Sequence, residues 1–349
     1  MQLINLASHI AFGLALTAFA AGITYLMARF VRIMDVPNQR SMHTLPTPKS
    51  GGMAIVATFL VGSMIIYTVA STARIAPAYF WTFICGGVLL AAVSFYDDIR
   101  QKSFFAKLSA QVICAMAVSL SGLVLTKLYI PLVGIIEIGY FGYILTLLWI
   151  VGLTNTYNFM DGMDGLAGGA GLIAALFLCA IAFRENSAYV YLTSYVLAAG
   201  LGGFLFFNLP PAKIFMGDVG SAFVGYTFAV LALLGAAFDR GHLSFYVVPL
   251  LLFNFIFDAF FTFFRRMYGH EKIYLPHRTH LYQLLPHLGY SHRQIVGFHY
   301  AVGVAQGIGA FLLISIPPQF RHLIFLPFLL FNAYYAYWVV VRAKRQQLV

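Results

Sequence analysis

The sequence predicts an all-α, polytopic integral membrane protein that folds as one helical bundle over residues 1–349. Hydrophobic residues make up 61% of the chain and charged residues only 9%, with a mean hydropathy of +0.85, whereas soluble proteins carry about 25% charged residues. The apolar residues also lie in runs of about 20, the length that a helix needs to cross a bilayer. Together these observations exclude a water-soluble fold.

The apolar runs divide the chain into about eleven transmembrane helices. Their predicted limits are 8–31, 51–72, 77–96, 104–125, 135–153, 165–183, 188–207, 219–238, 244–264, 294–316 and 322–341. Gly134, Gly139 and Gly142 interrupt the fifth span. Most of the 21 Lys and Arg residues fall in one alternate set of connectors, which places the N-terminus outside and the C-terminus in the cytoplasm.

The formal net charge of +10 resides in short connectors and not in a separate basic domain. This distribution favours an anionic lipid surface and phosphorylated substrates as partners, and argues against nucleic acid. The cytoplasmic connectors also hold most of the acidic residues. Because carboxylates contribute little to orientation, their position beside the basic residues indicates a site for an anion together with a metal ion.

The first connector, from Asp35 to Gly52, contains His43, Lys49 and three prolines. The prolines and the Gly pair prevent a regular helix, so we expect exposed amides and basic side chains beside the second span, where phosphate binds readily. An ordinary polar loop is the alternative. At the end of the third span, Asp97 and Asp98 repel each other and oppose the helix dipole, so a metal ion, Arg100, Lys102 or Lys107 should compensate their charge. Two solvated loop acids are the alternative.

The most informative segment runs from Thr154 to Leu166, where an oxygen-bearing side chain recurs every third residue: Asn155, Asn158, Asp161 and Asp164. A continuous helix would spread these four over half its circumference. Gly162 and Gly165 allow the backbone to break and the four to converge. Amide and carboxylate oxygens are hard ligands that suit Mg²⁺. The alternative is a simple helix cap.

Two later connectors add further candidates. Asp218 begins the eighth span beside two glycines, where its carboxylate could hold a metal and the helix amides could hold phosphate oxygens. Phe215 offers a flat face for stacking a nucleobase. The alternative is a Pro-Gly turn with a capping Asp. The connector from Pro276 to Gln283 contains Arg278 and His280, which suit a pyrophosphate or lipid phosphate. Asp258 lies within the ninth span and is predicted to face a cation inside the bundle.

In these ordered motifs the chain resembles the polyprenyl-phosphate N-acetylhexosamine-1-phosphate transferases of glycosyltransferase family 4. The resemblance implies transfer of a sugar phosphate from a UDP-sugar to undecaprenyl phosphate, with Mg²⁺ or alternatively Mn²⁺, at the cytoplasmic face of a bacterial inner membrane. It extends from Asp35 to about Gln283 and is nearer the WbpL- and WecA-like branch than the MraY-type enzymes. A homodimer is also expected from the resemblance.

The resemblance implies three sets of site residues. The catalytic set is Asp97, Asp98, Lys107, Asp161, Arg278 and His280. The substrate-binding set is Lys49, His43, Asn155, Asp164, Asn208 and Phe215. The metal ligands are Asp218 and Asn158.

Two departures from the family pattern limit this assignment. The aspartate-rich DDxxD element ends here in Gln101, and the last loop has Tyr282 and Gln283 where many members carry a second His. The alternatives to this function are an MraY-type pentapeptide transferase, a cation-coupled transporter and a structural scaffold. A transporter predicts carboxylates near the middle of the bilayer, and Asp258 is the one candidate in the sequence.

Overall fold

The computed structural model describes residues 2–31, 33–37, 46–100, 104–130, 134–237, 243–272 and 277–348. Within these ranges the chain forms thirteen α-helices. They are α1 (Gln2–Phe30), α2 (Gly52–Val69), α3 (Pro77–Arg100), α4 (Phe104–Leu120), α5 (Phe141–Phe159), α6 (Leu166–Arg184), α7 (Ala188–Asn208), α8 (Gly217–Ala237), α9 (Val247–Leu251), α10 (Phe253–Tyr268), α11 (Leu281–Leu284), α12 (His292–Leu313) and α13 (Phe325–Arg345).

The protein is a polytopic membrane protein, as predicted. Eight described helical segments are long and apolar enough to cross a bilayer: α1, α2, α3, α6, α7, α8, α12 and the segment Pro318–Arg345, which contains α13. The other three predicted spans coincide with less regular elements. The helix α4 has only 17 residues, α5 ends in a polar turn, and the ninth span is divided at Leu252 into α9 and α10.

Four short strands are the departure from an all-helical chain in the described residues. Strand β1 (Met34–Asp35) pairs with β2 (Thr47–Pro48) in the first connector, and β3 (Lys127–Ile130) pairs with β4 (Gly134–Glu137). The predicted fifth span, 135–153, therefore began too early, because residues 135–137 are strand and α5 starts at Phe141. Gly139, at φ +56°, turns the chain between the strand and the helix. The fourth span was likewise predicted too long and ends at Leu120.

The central helix of the bundle is α8, because 94% of the residues in its most apolar stretch are buried. It packs against α2, α3 and α5, and small residues allow close approach of the backbones. A Cβ atom at Gly225 would lie only 2.9 Å from the carbonyl oxygen of Leu153. Because α8 begins where α3 and α5 end, this packing brings three polar helix ends to one end of the bundle.

Candidate active site

The first connector is joined to the connector before α8 by backbone hydrogen bonds. The amide of Phe215 donates to the carbonyl of Pro48 at 2.7 Å, and the amides of Gly51 and Gly52 donate to the carbonyls of Phe215 and Met216 at 2.9 and 2.8 Å. The expectation of exposed amides for phosphate at this helix start was therefore wrong for both glycines. Their amides instead fix the position of the segment that carries Phe215.

Gly52 also lies in direct contact with the first turn of α8. A Cβ atom there would come within 2.3 Å of the amide nitrogen of Gly220 and 2.6 Å of the carbonyl oxygen of Met216. Distances this short to backbone atoms cannot be relieved by a side-chain movement. The Gly pair in the sequence is thus explained by a helix crossing, and this crossing positions Lys49 near the end of α3.

Two lysines and three aspartates form a charge cluster at this end of the bundle. The Lys107 ammonium on α4 lies 2.6 Å from Asp97 Oδ2 on α3 and also contacts Asp218 Oδ2 on α8. Lys49 pairs with Asp98 Oδ1 at 3.2 Å. The cation that the sequence required beside the two adjacent aspartates is thus supplied twice, by Lys107 of α4 and by Lys49 of the first connector. Within the described residues, this cluster joins three of the predicted motifs.

One oxygen of Asp98 faces the start of α8. Asp98 is buried, and its Oδ2 atom has no hydrogen-bond partner among the described residues. A Cβ atom on Gly217 would lie 3.0 Å from this oxygen, so the oxygen points at the residue immediately before Asp218. A buried carboxylate oxygen without a partner is costly, and a cation is the group that satisfies it best.

The two asparagines of α5 have different neighbours. Asn158 Nδ2 donates to Asp218 Oδ1 at 3.0 Å and to Ser221 Oγ at 2.8 Å, which ties the end of α5 to the start of α8. Asn155 Nδ2 donates to Gln111 Oε1 at 2.6 Å. Gln111 and Ser221 were not identified from the sequence as site residues. The sequence could have indicated both residues, because Gln111 lies one helical turn after Lys107 and Ser221 lies one turn after Gly217.

The backbone breaks between α5 and α6, as the glycines predicted. Helix α5 ends at Phe159, and Gly165 at φ +75° precedes α6. Asp164 Oδ2 accepts the amide of Ala212 at 3.0 Å. Asn208 Oδ1 accepts the amide of Gly165, and its Nδ2 donates to the carbonyl of Ile214. The side-chain amide of Asn208 thus connects the break to the connector before α8.

Asp161 lies within this break and has an unusual electrostatic environment. Desolvation and the nearby charges of Asp218 and Asp98 raise the pKa of the Asp161 carboxyl well above its usual range. Within the described residues, no basic side chain pairs with it. The carboxyl is therefore held towards its neutral form until a positive charge enters the site.

In the last loop, His280 is held by Asp258 of α10. Asp258 Oδ1 accepts hydrogen bonds from His280 Nδ1 at 3.1 Å, the Leu281 amide at 3.0 Å and Thr262 Oγ1 at 3.1 Å. Its Oδ2 accepts the Tyr282 amide at 3.2 Å. The predicted partner of Asp258 is thus a histidine of the site, and the carboxylate also fixes the start of α11.

The last loop reaches the end of α5 through two contacts. Tyr282 Oη donates to the carbonyl of Phe159 at 3.0 Å, and the ring of Phe159 lies 5.8 Å from that of His280. Arg278 precedes His280 by two residues in this loop. The loop that contains both residues is therefore attached to the same helix that carries Asn158. His43, the remaining predicted residue, lies outside the described residues, as does Gln101.

These residues fit a magnesium ion held by few protein ligands. In the part of the chain that the structure describes, no three His, Cys, Asp or Glu side chains are grouped as a metal site. Mg²⁺ usually binds through one or two carboxylates, with phosphate and water oxygens completing its octahedron. Asp218, beside the unpartnered Asp98 oxygen, offers hard oxygen ligands of this kind.

Comparison with known proteins identifies the family. A model of glycosyl transferase family 4 matches residues 80–236. A probable undecaprenyl-phosphate N-acetylglucosaminyl 1-phosphate transferase from Bacillus subtilis is 34% identical over 286 residues, 81% of this chain and 77% of that one. A decaprenyl-phosphate N-acetylglucosaminephosphotransferase from Mycobacterium leprae is 30% identical over 305 residues, 80% and 77% of the two chains. A phospho-N-acetylmuramoyl-pentapeptide-transferase from Leuconostoc citreum is 34% identical over 206 residues, 55% and 64% of the two chains.

The fold and the cluster of carboxylates and lysines at its helix ends are those of a polytopic membrane transferase. The chain belongs to glycosyl transferase family 4, so the predicted resemblance is confirmed. Its predicted place nearer the WecA-like members than the MraY-type members is also confirmed. The N-acetylglucosamine-phosphate transferases match about four fifths of the chain, whereas the pentapeptide transferase matches 55%.

Proposed function

We propose that this protein transfers N-acetylglucosamine 1-phosphate from UDP-N-acetylglucosamine to undecaprenyl phosphate and releases UMP. Two relatives that match about four fifths of the chain are named as transferases of N-acetylglucosamine phosphate to a polyprenyl phosphate, undecaprenyl phosphate in one and decaprenyl phosphate in the other. The observation on which the proposal depends is the cluster in which Lys107 contacts both Asp97 and Asp218, beside Asn158. The reaction brings two anions together, and such a cluster has the cations and metal ligands that it needs.

The reaction starts when a phosphate oxygen of the lipid attacks the β-phosphorus of the UDP-sugar. The bond from that phosphorus to the bridging oxygen breaks, and UMP leaves with the electron pair. Little deprotonation is needed, because the second pKa of a phosphate ester is near 6. Catalysis is therefore mainly neutralisation of charge and positioning of the two phosphates.

Asp218 and Asn158 would hold Mg²⁺, which when bound neutralises phosphate oxygens and acts as a Lewis acid. Lys107 lies between Asp97 and Asp218, so its ammonium can turn to a phosphate oxygen while both carboxylates remain close. Lys49 pairs with Asp98 and holds it in place. One of the two adjacent aspartates would orient the attacking lipid phosphate.

The remaining candidates would bind the ends of the substrates. Arg278 and His280 approach the diphosphate from the last loop, where Asp258 fixes the His280 ring through Nδ1 and leaves Nε2 for the ligand. Asp164 and Phe215 would hold the uracil from the break after α5 and the connector before α8. Asn208 supports both segments through its two backbone hydrogen bonds.

In the membrane, the proposal places this site at the cytoplasmic face of a bacterial inner membrane, with the N-terminus outside. The excess of Lys and Arg in the connectors at that end supports this orientation. The product would be the first lipid-linked sugar of an O-antigen, a lipopolysaccharide or another surface glycan. Undecaprenyl phosphate and UDP are already anionic, which matches the basic connectors.

The experiment uses purified protein with undecaprenyl phosphate and a panel of UDP-sugars, with Mg²⁺ or with EDTA, and measures UMP release. We expect release with UDP-N-acetylglucosamine that EDTA abolishes. Asp218→Asn keeps the side-chain shape and should lose activity while it remains folded. The matched control is Glu137→Gln, which removes a carboxylate from the exposed pair with Lys127, away from the site.

Three results would count against the proposal. Activity with a UDP-muramoyl-pentapeptide in place of UDP-N-acetylglucosamine would assign the chain to the pentapeptide transferases. Wild-type turnover by Asp218→Asn would remove Asp218 from the metal site. Cation flux without UMP release would indicate a transporter, a reading that the hydrogen bonds already made by Asp258 disfavour.

A further inference from the structure

A pocket lies between α12 and α13, outside the charge cluster. It has a volume of about 410 Å³ and is lined mainly by aromatic side chains. Among these are Tyr290, Phe298, Tyr334, Tyr335 and Trp338. Tyr334 is 68% exposed, so the pocket opens on the outer surface of the bundle, which the bilayer covers. An apolar pocket that opens towards lipid suits an acyl chain.

The pocket also has a basic side chain beside its aromatic wall. The Arg342 guanidinium lies 4.3 Å from the centre of the Trp338 ring, and Arg342 is exposed at the end of α13. The buried hydroxyl of Tyr335 has no hydrogen-bond partner among the described residues. The cation beside Trp338 matches the phosphate of a phospholipid.

The wall of this pocket continues into the loop that contains His280. Leu285 lines the pocket and directly follows α11. The amide of Tyr290 donates to the Leu285 carbonyl at 3.2 Å, and the Tyr290 ring packs 6.0 Å from that of Trp338. A ligand in the pocket would therefore contact Leu285, which follows the short helix that His280 precedes.

We propose that this pocket binds an anionic phospholipid, with an acyl chain among the aromatic rings and the phosphate on Arg342. The bound lipid stabilises the turn after α11 and hence the last loop of the active site. Anionic lipids are attracted to basic residues between transmembrane helices at the cytoplasmic surface, and Arg293, Lys344 and Arg345 lie at the same ends of α12 and α13. The effect on activity rests on the transferase function proposed above, whereas the binding itself does not.

The test measures lipid binding and activity separately. Full-length protein is reconstituted in phosphatidylcholine vesicles with or without phosphatidylglycerol, and the lipid retained after gentle extraction is measured by native mass spectrometry. Arg342→Gln should weaken phosphatidylglycerol retention about fivefold, the loss expected for one basic residue at an anionic surface. Trp338→Ala should also reduce it, by opening the pocket.

The matched control is Arg29→Gln. Arg29 also ends a transmembrane helix and lies 5.8 Å from the centre of an aromatic ring, that of Phe30. The rings that it contacts, Tyr25 and Phe30, do not line this pocket, whereas Arg342 contacts the lining residue Trp338. We expect Arg29→Gln to retain phosphatidylglycerol as the wild type does. We also expect phosphatidylglycerol to raise turnover of the wild type and of Arg29→Gln, and to have little effect on Arg342→Gln.

Two outcomes would overturn the inference. Equal retention of phosphatidylglycerol by Arg342→Gln and Arg29→Gln would show that the lipid binds without this site. A higher KM for undecaprenyl phosphate in Trp338→Ala, with phosphatidylglycerol retention unchanged, would assign the pocket to the tail of the lipid substrate. If wild-type protein retains phosphatidylglycerol but transfers no sugar phosphate in either vesicle, the transferase proposal fails and the binding site stands.

Discussion

Replacement of Asp258 by Asn should both destabilise the protein and impair the last loop. Asp258 is 2% exposed, and its carboxylate accepts hydrogen bonds from His280, Leu281, Tyr282 and Thr262. An Asn side chain has one acceptor oxygen, so its NH₂ group must face a buried N–H group. We expect a loss of about 3 kcal/mol in the free energy of unfolding, because a buried donor is left unpaired and the remaining bonds lose charge assistance.

The same change should lower kcat by at least about tenfold, because small displacements of a positioned group are costly in rate. Unfolding is followed in detergent with increasing denaturant, and turnover is followed as UMP release. The control is Thr262→Val, which removes one hydrogen bond to Asp258 and leaves the bond to His280. It should cost about 1 kcal/mol and retain most of the activity.

A double-mutant comparison separates positioning from general damage. If Asp258 acts through His280, then Asp258→Asn should reduce kcat little further in a His280→Ala background. An equal loss of kcat in both backgrounds would refute this reasoning. So would an Asp258→Asn variant as stable as the wild type.

Three further predictions concern other parts of the site. Phe215→Ala should raise the KM for the UDP-sugar more than that for undecaprenyl phosphate, and equal increases would argue against stacking on uracil. Gly52→Ala should prevent folding or abolish activity, because its Cβ atom would meet the backbone of Gly220. The control is Gly200→Ala, whose Cβ atom would have its nearest contact at 3.5 Å. This variant should behave like the wild type in size-exclusion and turnover measurements. In EDTA, the free energy of unfolding should fall as the pH rises above the usual pKa of an Asp side chain. The folded protein raises the pKa of Asp161, so ionisation of this carboxyl favours the unfolded state. Asp161→Asn should lose this part of the pH dependence in thermal unfolding experiments, and an unchanged pH profile would contradict it.

The fold class and most of the charge cluster were predictable from the sequence. Hydrophobic runs located the membrane helices, and the adjacent Asp97 and Asp98 required a cation, which proved to be Lys107 for one and Lys49 for the other. The three-residue spacing from Asn155 to Asp164, together with Gly162 and Gly165, predicted the break that follows α5. Each of these inferences depends on local periodicity or on the energy of unpaired charge, and both are properties that a sequence displays directly.

The parts that were not predicted depend on contacts between distant segments. Only the packing shows that the amides of Gly51 and Gly52 bind the connector before α8. The division of the ninth span at Leu252 and the β3–β4 hairpin lie in apolar sequence, where periodicity does not separate a strand or a break from a continuous helix. The pairing of Asp258 with His280 joins residues 22 positions apart, and no local pattern indicates it.

The ammonium of Lys107 has a consequence for how the protein assembles in the bilayer. Helices α3 and α8 would repel each other through Asp97 and Asp218 if their carboxylates met without a counter-charge. Because the lysine is part of the chain, the two helix ends can come together during membrane insertion, before nucleotide or divalent ions arrive. In the proposed function, a metal ion bound at Asp218 would replace this lysine contact, so one side chain would serve both the assembly of the bundle and the entry of the ligand.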